Sequence, residues 1–161
     1  MDAIELLMQQ HAEVDELFEQ IESAKAPQKK WALFEEVADK LAVHATIEER
    51  HFYPAVKARR TEDILLESLE EHLSIKRLLA DLLDTPADDQ TFDAKIKVLQ
   101  EQVEHHVGEE ESDLFPKVRK LLDATELDAL EQEMVAEQEQ LLEEGEPRAA
   151  VPQQTDEPAH I

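Results

Sequence analysis

The stretch His44 to Pro54, HATIEERHFYP, decides how this chain is read. His44 and Glu48 are four residues apart, so on a helix they lie one above the other on a single face. Upstream the same face carries Leu41, Val37 and Phe34, which are apolar, so the imidazole and the carboxylate are expected to point inward. Buried polar groups need partners. Either this pair hydrogen-bonds internally, or it shares a metal ion, which accepts both a neutral imidazole and an ionised carboxylate.

The pattern occurs twice. A shift of 62 residues places Phe34, Val37, Leu41, His44, Glu48 and Pro54 on Ile96, Leu99, Val103, His106, Glu110 and Pro116. A shift of 61 matches His105 and Glu109 instead, but it sets Phe34 on Lys95 and Leu41 on Gln102. Hydrophobic phase therefore selects His106 and Glu110 as the inward pair.

With two Gly in 161 residues and 42% hydrophobic content, the chain reads as one all-α domain over 1–144, followed by a disordered tail over 145–161. A net charge of −24 argues against nucleic acid as a partner, because phosphate binding needs clustered Lys and Arg. That acidity serves solubility, or draws cations toward the surface. The absence of cysteine excludes disulfides and thiolate metal sites. MDAIELLMQQ has neither the form of a secretory signal nor that of a membrane span, so the expected location is the cytoplasm.

Five helices are expected. The first runs from Ala3 to Ser23 with Asp2 as N-cap and an inward stripe of Ile4, Leu7, Met8, His11, Val14, Phe18 and Ile21. The second runs from Gln28 to Arg59, with a kink or an end at Pro54. His51 shares the face of His44 and Glu48, as a third inward group or as one at the end of the site. Thr61 caps the third, Glu62 to Leu83, which aligns with the first at a shift of 61, His72 on His11, Ile75 on Val14 and Leu79 on Phe18. After the turn DTPADDQ comes the fourth, Thr91 to Leu122, and then a fifth from Glu126 to Glu144, with Thr125 and Asp128 as a capping box and Gly145 closing it. His160, in the tail, is expected to have no role.

Helices joined by short turns pack antiparallel, in an up-down four-helix bundle. His11, His44, His72 and His106 then stand at mid-height on four helices, with Glu48 and Glu110 one turn away. Iron suits these donors, and two ions about 3.5 Å apart could share both glutamates; zinc and manganese accept them as well. A metal-free network of the same groups would bury two carboxylates at a cost of several kcal/mol unless each charge is matched. A ferritin-like site wants two Glu-x-x-His pairs, and only Glu48-x-x-His51 fits. The remaining alternative is a helical interaction protein that works through its exposed Glu-rich faces.

The ordered set His11, His44-x3-Glu48, His72, His106-x3-Glu110, with HATIEERHFYPAV and HHVGEEESDLFPKV as half-motifs, resembles the hemerythrin-like, or HHE cation-binding, family. The resemblance covers about Met1 to Leu142. It implies a non-haem di-iron centre in a left-handed up-down bundle, with His11, His44, Glu48, His72, His106 and Glu110 as ligands. It also implies a role in binding or sensing O2 or another diatomic ligand, or in handling iron; no separate catalytic residue is singled out. The oxygen carriers of the family have a second histidine one turn along the third helix, where this chain has Lys76. They also bridge with a carboxylate five residues after the fourth-helix histidine, a spacing His105 and Glu110 would reproduce. His51 or water would replace the missing nitrogen. The shortfall equally suits an oxidase or peroxidase acting on O2 or peroxide, in which Tyr53 is either a redox or hydrogen-bonding group, or a packing residue with its hydroxyl at the surface.

Overall fold

A computed structural model of the chain describes residues 1–58 and 60–161, and among them all regular structure is helical. Helix α1 (Ala3–Ser23) starts at Asp2, whose side chain accepts from the Glu5 backbone while Glu5 returns a bond to the Asp2 N–H. The expected stripe is buried except for Met8, which is 44% exposed; Leu6 and Leu17 are buried in addition.

Helix α2 (Pro27–Ile47) begins with a proline at its first position, where the missing N–H costs nothing. At Glu48 the winding widens into a π-helical turn, Glu48–Phe52, followed by a short α3 (Tyr53–Val56). The expected end of this helix at Arg59 lies outside the described residues. Pro54 does not end the helix where it stands, since α3 continues to Val56. Proline cannot donate to the carbonyl one α-turn back, and the π turn is already wound past that pattern, since Tyr53 N–H donates to Glu48 O. The second half repeats the device. Helix α5 (Phe92–Glu109) passes into a π turn, Glu110–Leu114, then α6 (Phe115–Leu121).

Helix α4 (Glu62–Leu83) has its expected bounds with Thr61 at the N-cap position, but the Thr61 side chain makes no capping hydrogen bond. Its buried hydroxyl turns back instead, donating to Val56 O at 2.8 Å and accepting from Ala58 N–H at 2.9 Å, which closes the loop between α3 and α4. Helix α7 (Ala124–Glu143) starts two residues before its expected position, because the capping box is Asp123 with Glu126 rather than Thr125 with Asp128. Beyond it Gly145 takes φ +127°, a backbone conformation that side chains resist.

Helices α1 and α2 pack together, as do α4 and α5, while α7 lies on α1, α2 and the first π turn through Leu127, Leu130 and Met134. Two apolar clusters result. One contains Leu7, Phe52, Phe115 and Met134, the other Phe18, Phe34, Phe92 and Leu99. Four histidines and two glutamates lie buried as well, and belong to neither cluster.

The last segment corrects the expectation of a disordered tail. Pro147–Gln154 forms a 3-10 segment against α2 and α4 with Val151 buried at 1% exposure. Arg148 fastens it, donating to Asp39 at 2.8 Å and to Glu35 at 2.6 Å. Low apolar content does not prevent ordering when one buried side chain and a two-carboxylate clamp are supplied by another element.

Asp123→Ala should cost about 1 kcal/mol in urea denaturation. Thr125→Ala, on an exposed side chain, should stay within about 0.5 kcal/mol.

Candidate metal centre

Each histidine sits on a different long helix, and each glutamate opens a π turn, so six side chains reach one level of the interior from four directions. All are buried, from 0% exposed for Glu48 to 8% for His11. The rings pair edge to face, His11 with His44 at 4.9 Å between centroids and His72 with His106 at 4.7 Å.

The carboxylates cross between the pairs. Glu48 Oε1 lies 3.0 Å from His44 Nε2 and 3.2 Å from His72 Nε2. Glu110 Oε1 lies 3.3 Å from both His11 Nε2 and His106 Nε2. Two convergent donor sets follow: His11, His44, Glu48 and Glu110 form one, and Glu48, His72 and His106 the other, each with its ligand atoms within 4.8 Å of one another. Glu48 belongs to both.

Every imidazole is oriented from behind. Nδ1 of His44 meets Gln10 Oε1 at 2.7 Å, that of His72 meets Glu49 Oε2 at 2.7 Å, and that of His106 meets Glu71 Oε1 at 2.9 Å. His11 Nδ1 is 3.5 Å from Glu111 Oε1. These oxygens only accept, so Nδ1 carries the proton, and in the neutral ring the Nε2 lone pair faces inward. His72 and His106 then aim their Nε2 atoms at each other across 3.1 Å. Among the described residues, His11 Nε2, His44 Nε2, both oxygens of Glu48 and Oε1 of Glu110 have no hydrogen-bond partner. Buried acceptors without donors are costly, and a cation in their midst satisfies all of them together.

Titration agrees. Burial opposes a charge on His106, but Glu110, Glu48 and Glu71 more than reverse this and hold its proton well above the ordinary histidine value. His11 and His72 are raised against the same burial penalty by Glu110 and by Glu48 with Glu49, respectively. Burial pushes Glu48 up, yet the surrounding imidazoles, His44 foremost, bring it well below the usual carboxylate range. The pocket selects positive charge.

The structure brings together all six residues singled out from the sequence. His106 and Glu110 are the inward pair, while the His105 side chain is 65% exposed. His51 is turned away, 3.9 Å from Glu133 and 3.8 Å from Glu137 on α7, because the π turn advances the chain less per residue than an α-helix and rotates position 51 off the Glu48 face. It cannot replace the nitrogen missing at Lys76. That lysine is itself buried, with Nζ 2.9 Å from both Glu49 oxygens. His160 is exposed, near Glu157.

Of the two readings of Tyr53, the hydrogen-bonding group holds and the surface hydroxyl does not. The residue is 0% exposed, and its hydroxyl donates to Glu110 Oε2 at 2.8 Å and lies 3.2 Å from His72 Nε2. Burial, then Glu110 and Glu48, hold its phenol proton far above the ordinary tyrosine value. The same π turn is the cause, since it lets neighbouring Phe52 and Tyr53 both face the interior. Gln10, Glu49, Glu71 and Glu111 are site residues that the sequence pattern does not single out. Each is the chain neighbour of a site residue yet serves a histidine on another helix, and the doublets Glu48-Glu49 and Glu110-Glu111 were the available signal.

Tyr53→Phe removes a buried donor to a carboxylate and should destabilise the metal-free protein by about 1.5–3 kcal/mol in urea titration. No change would place the hydroxyl outside the network.

Residues 2–118 match the hemerythrin HHE cation-binding domain. The chain is 29% identical over 119 residues to a DNA nickase from Nostoc sp., a match covering 74% of this chain and only 34% of that protein. It is 28% identical over 143 residues to the uncharacterized protein Rv2633c of Mycobacterium tuberculosis, 88% of each chain. The crystal structure of an HHE cation-binding domain-containing protein of Mycobacterium kansasii, an Rv2633c homolog, superposes with a TM-score of 0.81 at 27% identity over 96% of this chain and 99% of that one. Both the arrangement of the buried histidines and glutamates and the match over most of its length place this chain in the hemerythrin HHE cation-binding family.

Proposed function

We propose that His11, His44, Glu48, His72, His106 and Glu110 hold two iron ions as a non-haem di-iron centre within an antiparallel up-down four-helix bundle. The protein would bind or sense O2 or another small ligand, or handle iron, in the cytoplasm. The observation that carries this reading is the sharing of Glu48 between two donor sets, together with the lack of donors, among the described residues, to both Glu48 oxygens, Glu110 Oε1, His11 Nε2 and His44 Nε2. Mixed imidazole and carboxylate donors suit iron, and other divalent ions fit them too. Bound iron would supply a redox-active centre for a small oxygen-containing ligand.

The chain's own residues prepare this chemistry. Gln10, Glu49, Glu71 and Glu111 fix the rings, and Tyr53 holds Glu110 while placing an O–H beside His72. Lys76 neutralises Glu49 rather than offering a ligand. This leaves the His72 and His106 side with three donors against four, which favours a second reading, an oxidase or peroxidase acting on O2 or peroxide. A reversible oxygen-dependent visible band would mark a carrier or sensor. Catalytic loss of peroxide with a reducing substrate would mark the enzyme. DNA nicking is not carried over from the Nostoc relative, because the match spans a third of that protein and a net charge of −24 opposes a phosphate backbone.

Metal analysis of freshly purified protein, with absorption spectra under air and argon, tests the centre. His72→Ala and Glu110→Ala should each lower bound iron, whereas His105→Ala and His160→Ala should not. Equal losses for His105→Ala and His106→Ala would refute the ligand set.

The pH dependence has a defined sign. Because the raised imidazoles keep their protons above the ordinary value of 6.5, protons compete with the metal from above pH 6.5 downward, and binding weakens as pH falls. Raised histidine values stabilise the metal-free fold below 6.5, and that contribution is lost as pH rises through them. Glu48 is ionised throughout this window in either state. The melting temperature of metal-free protein should therefore fall as pH rises above 6.5, and added iron should restore it.

A further inference from the structure

A small cavity of about 30 Å3 adjoins the histidine cluster, and the rings of His11, His44, His72 and His106 form part of its wall. The rest is largely apolar, with Val14, Leu41, Ile75 and Leu79 on the helices and Val151 on the C-terminal segment, while Gln10 and Lys76, whose charge is paired with Glu49, also line it. One water needs about 10–15 Å3 on this measure, so the cavity takes two or three water-sized atoms. Apolar walls penalise an ion.

Helices α2 and α4 touch each other little, and the segment Pro147–Gln154 packs against both. Val151, 1% exposed, joins the apolar cluster that includes Leu41, Ile75 and Leu79, and Gln154 also lines the cavity. The segment is tied at both ends. Arg148 bonds Asp39 and Glu35 on α2, and Arg77 on α4 donates to the carbonyls of Thr155 at 2.9 Å and Asp156 at 3.3 Å. Between these ties it has 3-10 geometry, whose hydrogen bonds are poorer than those of an α-helix. Such a piece opens at less cost than the helices it covers.

We infer that Pro147–Gln154 is a gating strap over a binding chamber for an uncharged ligand of two or three heavy atoms, with Val151 as its plug and Arg148 as its latch. The inference deepens, and rests on, the reading of the cluster as a metal centre. The strap makes the wall through which a ligand reaches His44 and His72, and its release sets the rate of entry. The six proposed ligands keep their positions when it lifts, since none lies on it.

The test uses the full chain, stripped of metal, and diethyl pyrocarbonate, a histidine reagent too large for the closed chamber, with each site quantified by peptide mass spectrometry. Val151→Asp and Arg148→Ala should each raise modification at His44 and His72 roughly tenfold or more by favouring the open strap, while exposed His105 stays unchanged. Arg148→Ala removes only the latch and keeps the test readable should Val151→Asp fail to fold, which circular dichroism monitors. Unchanged rates at His44 and His72 in the folded variants would overturn the strap. Iron analysis separates the two claims: an unaltered chain without iron but with strap-dependent labelling refutes only the metal centre, and an iron-loaded chain with strap-independent labelling refutes only the gate.

Discussion

Four hydrogen-bond contacts behind the histidines hold the interior in its working form. Gln10 beside α1's His11 faces His44 on α2, and Glu49 beside Glu48 faces His72 on α4. Glu71 beside His72 faces His106 on α5, and Glu111 beside Glu110 returns to His11 on α1. The contacts close a ring around four helices. Each helix thereby contributes one inward nitrogen and one outer acceptor for its neighbour, so the tautomer of every ring depends on the packing of the next helix. Local folding and site chemistry become the same constraint, because a helix out of register would leave an imidazole unoriented and a carboxylate unpaired.

The π turns solve a second problem. A carboxylate one turn beyond a histidine, followed by an aromatic pair and a proline, would on a continuous α-helix send one aromatic outward and set the proline against the carbonyl of the preceding turn. Widening the winding at Glu48 and again at Glu110 admits the proline and buries both Phe52 and Tyr53, and likewise Leu114 and Phe115. Tyr53 reaches Glu110 only because of this. The same rotation that recruits Tyr53 expels His51 toward α7, so one backbone adjustment decides both which residue joins the site and which leaves it.

Around this polar interior the remaining elements act as insulation. Apolar clusters flank it, α7 lies over the first π turn and reaches the site through Gln138, whose Oε1 accepts from Gln10 at 2.7 Å, and the C-terminal segment fills the space between α2 and α4. Keeping water from the buried acceptors strengthens every electrostatic interaction among them and raises the penalty for leaving them without a cation.

Helical class, most helix bounds and the six inward groups are legible along the chain because period and spacing are local properties: His44 with Glu48, and His106 rather than His105, follow from which face carries Leu41 and Val103. The sixty-odd-residue repeat carried the same information twice, through the matched pairs His11 with His72 and His44 with His106. The rest follows from the folded chain. Whether Tyr53 or His51 turns inward depends on a π turn that α-helical periodicity does not describe. Thr61 closes a loop, not a helix, because Val56 O lies within its reach. The ordering of Val151 and the pairing of Lys76 with Glu49 rest on partners far away in the chain, which no window of local sequence contains.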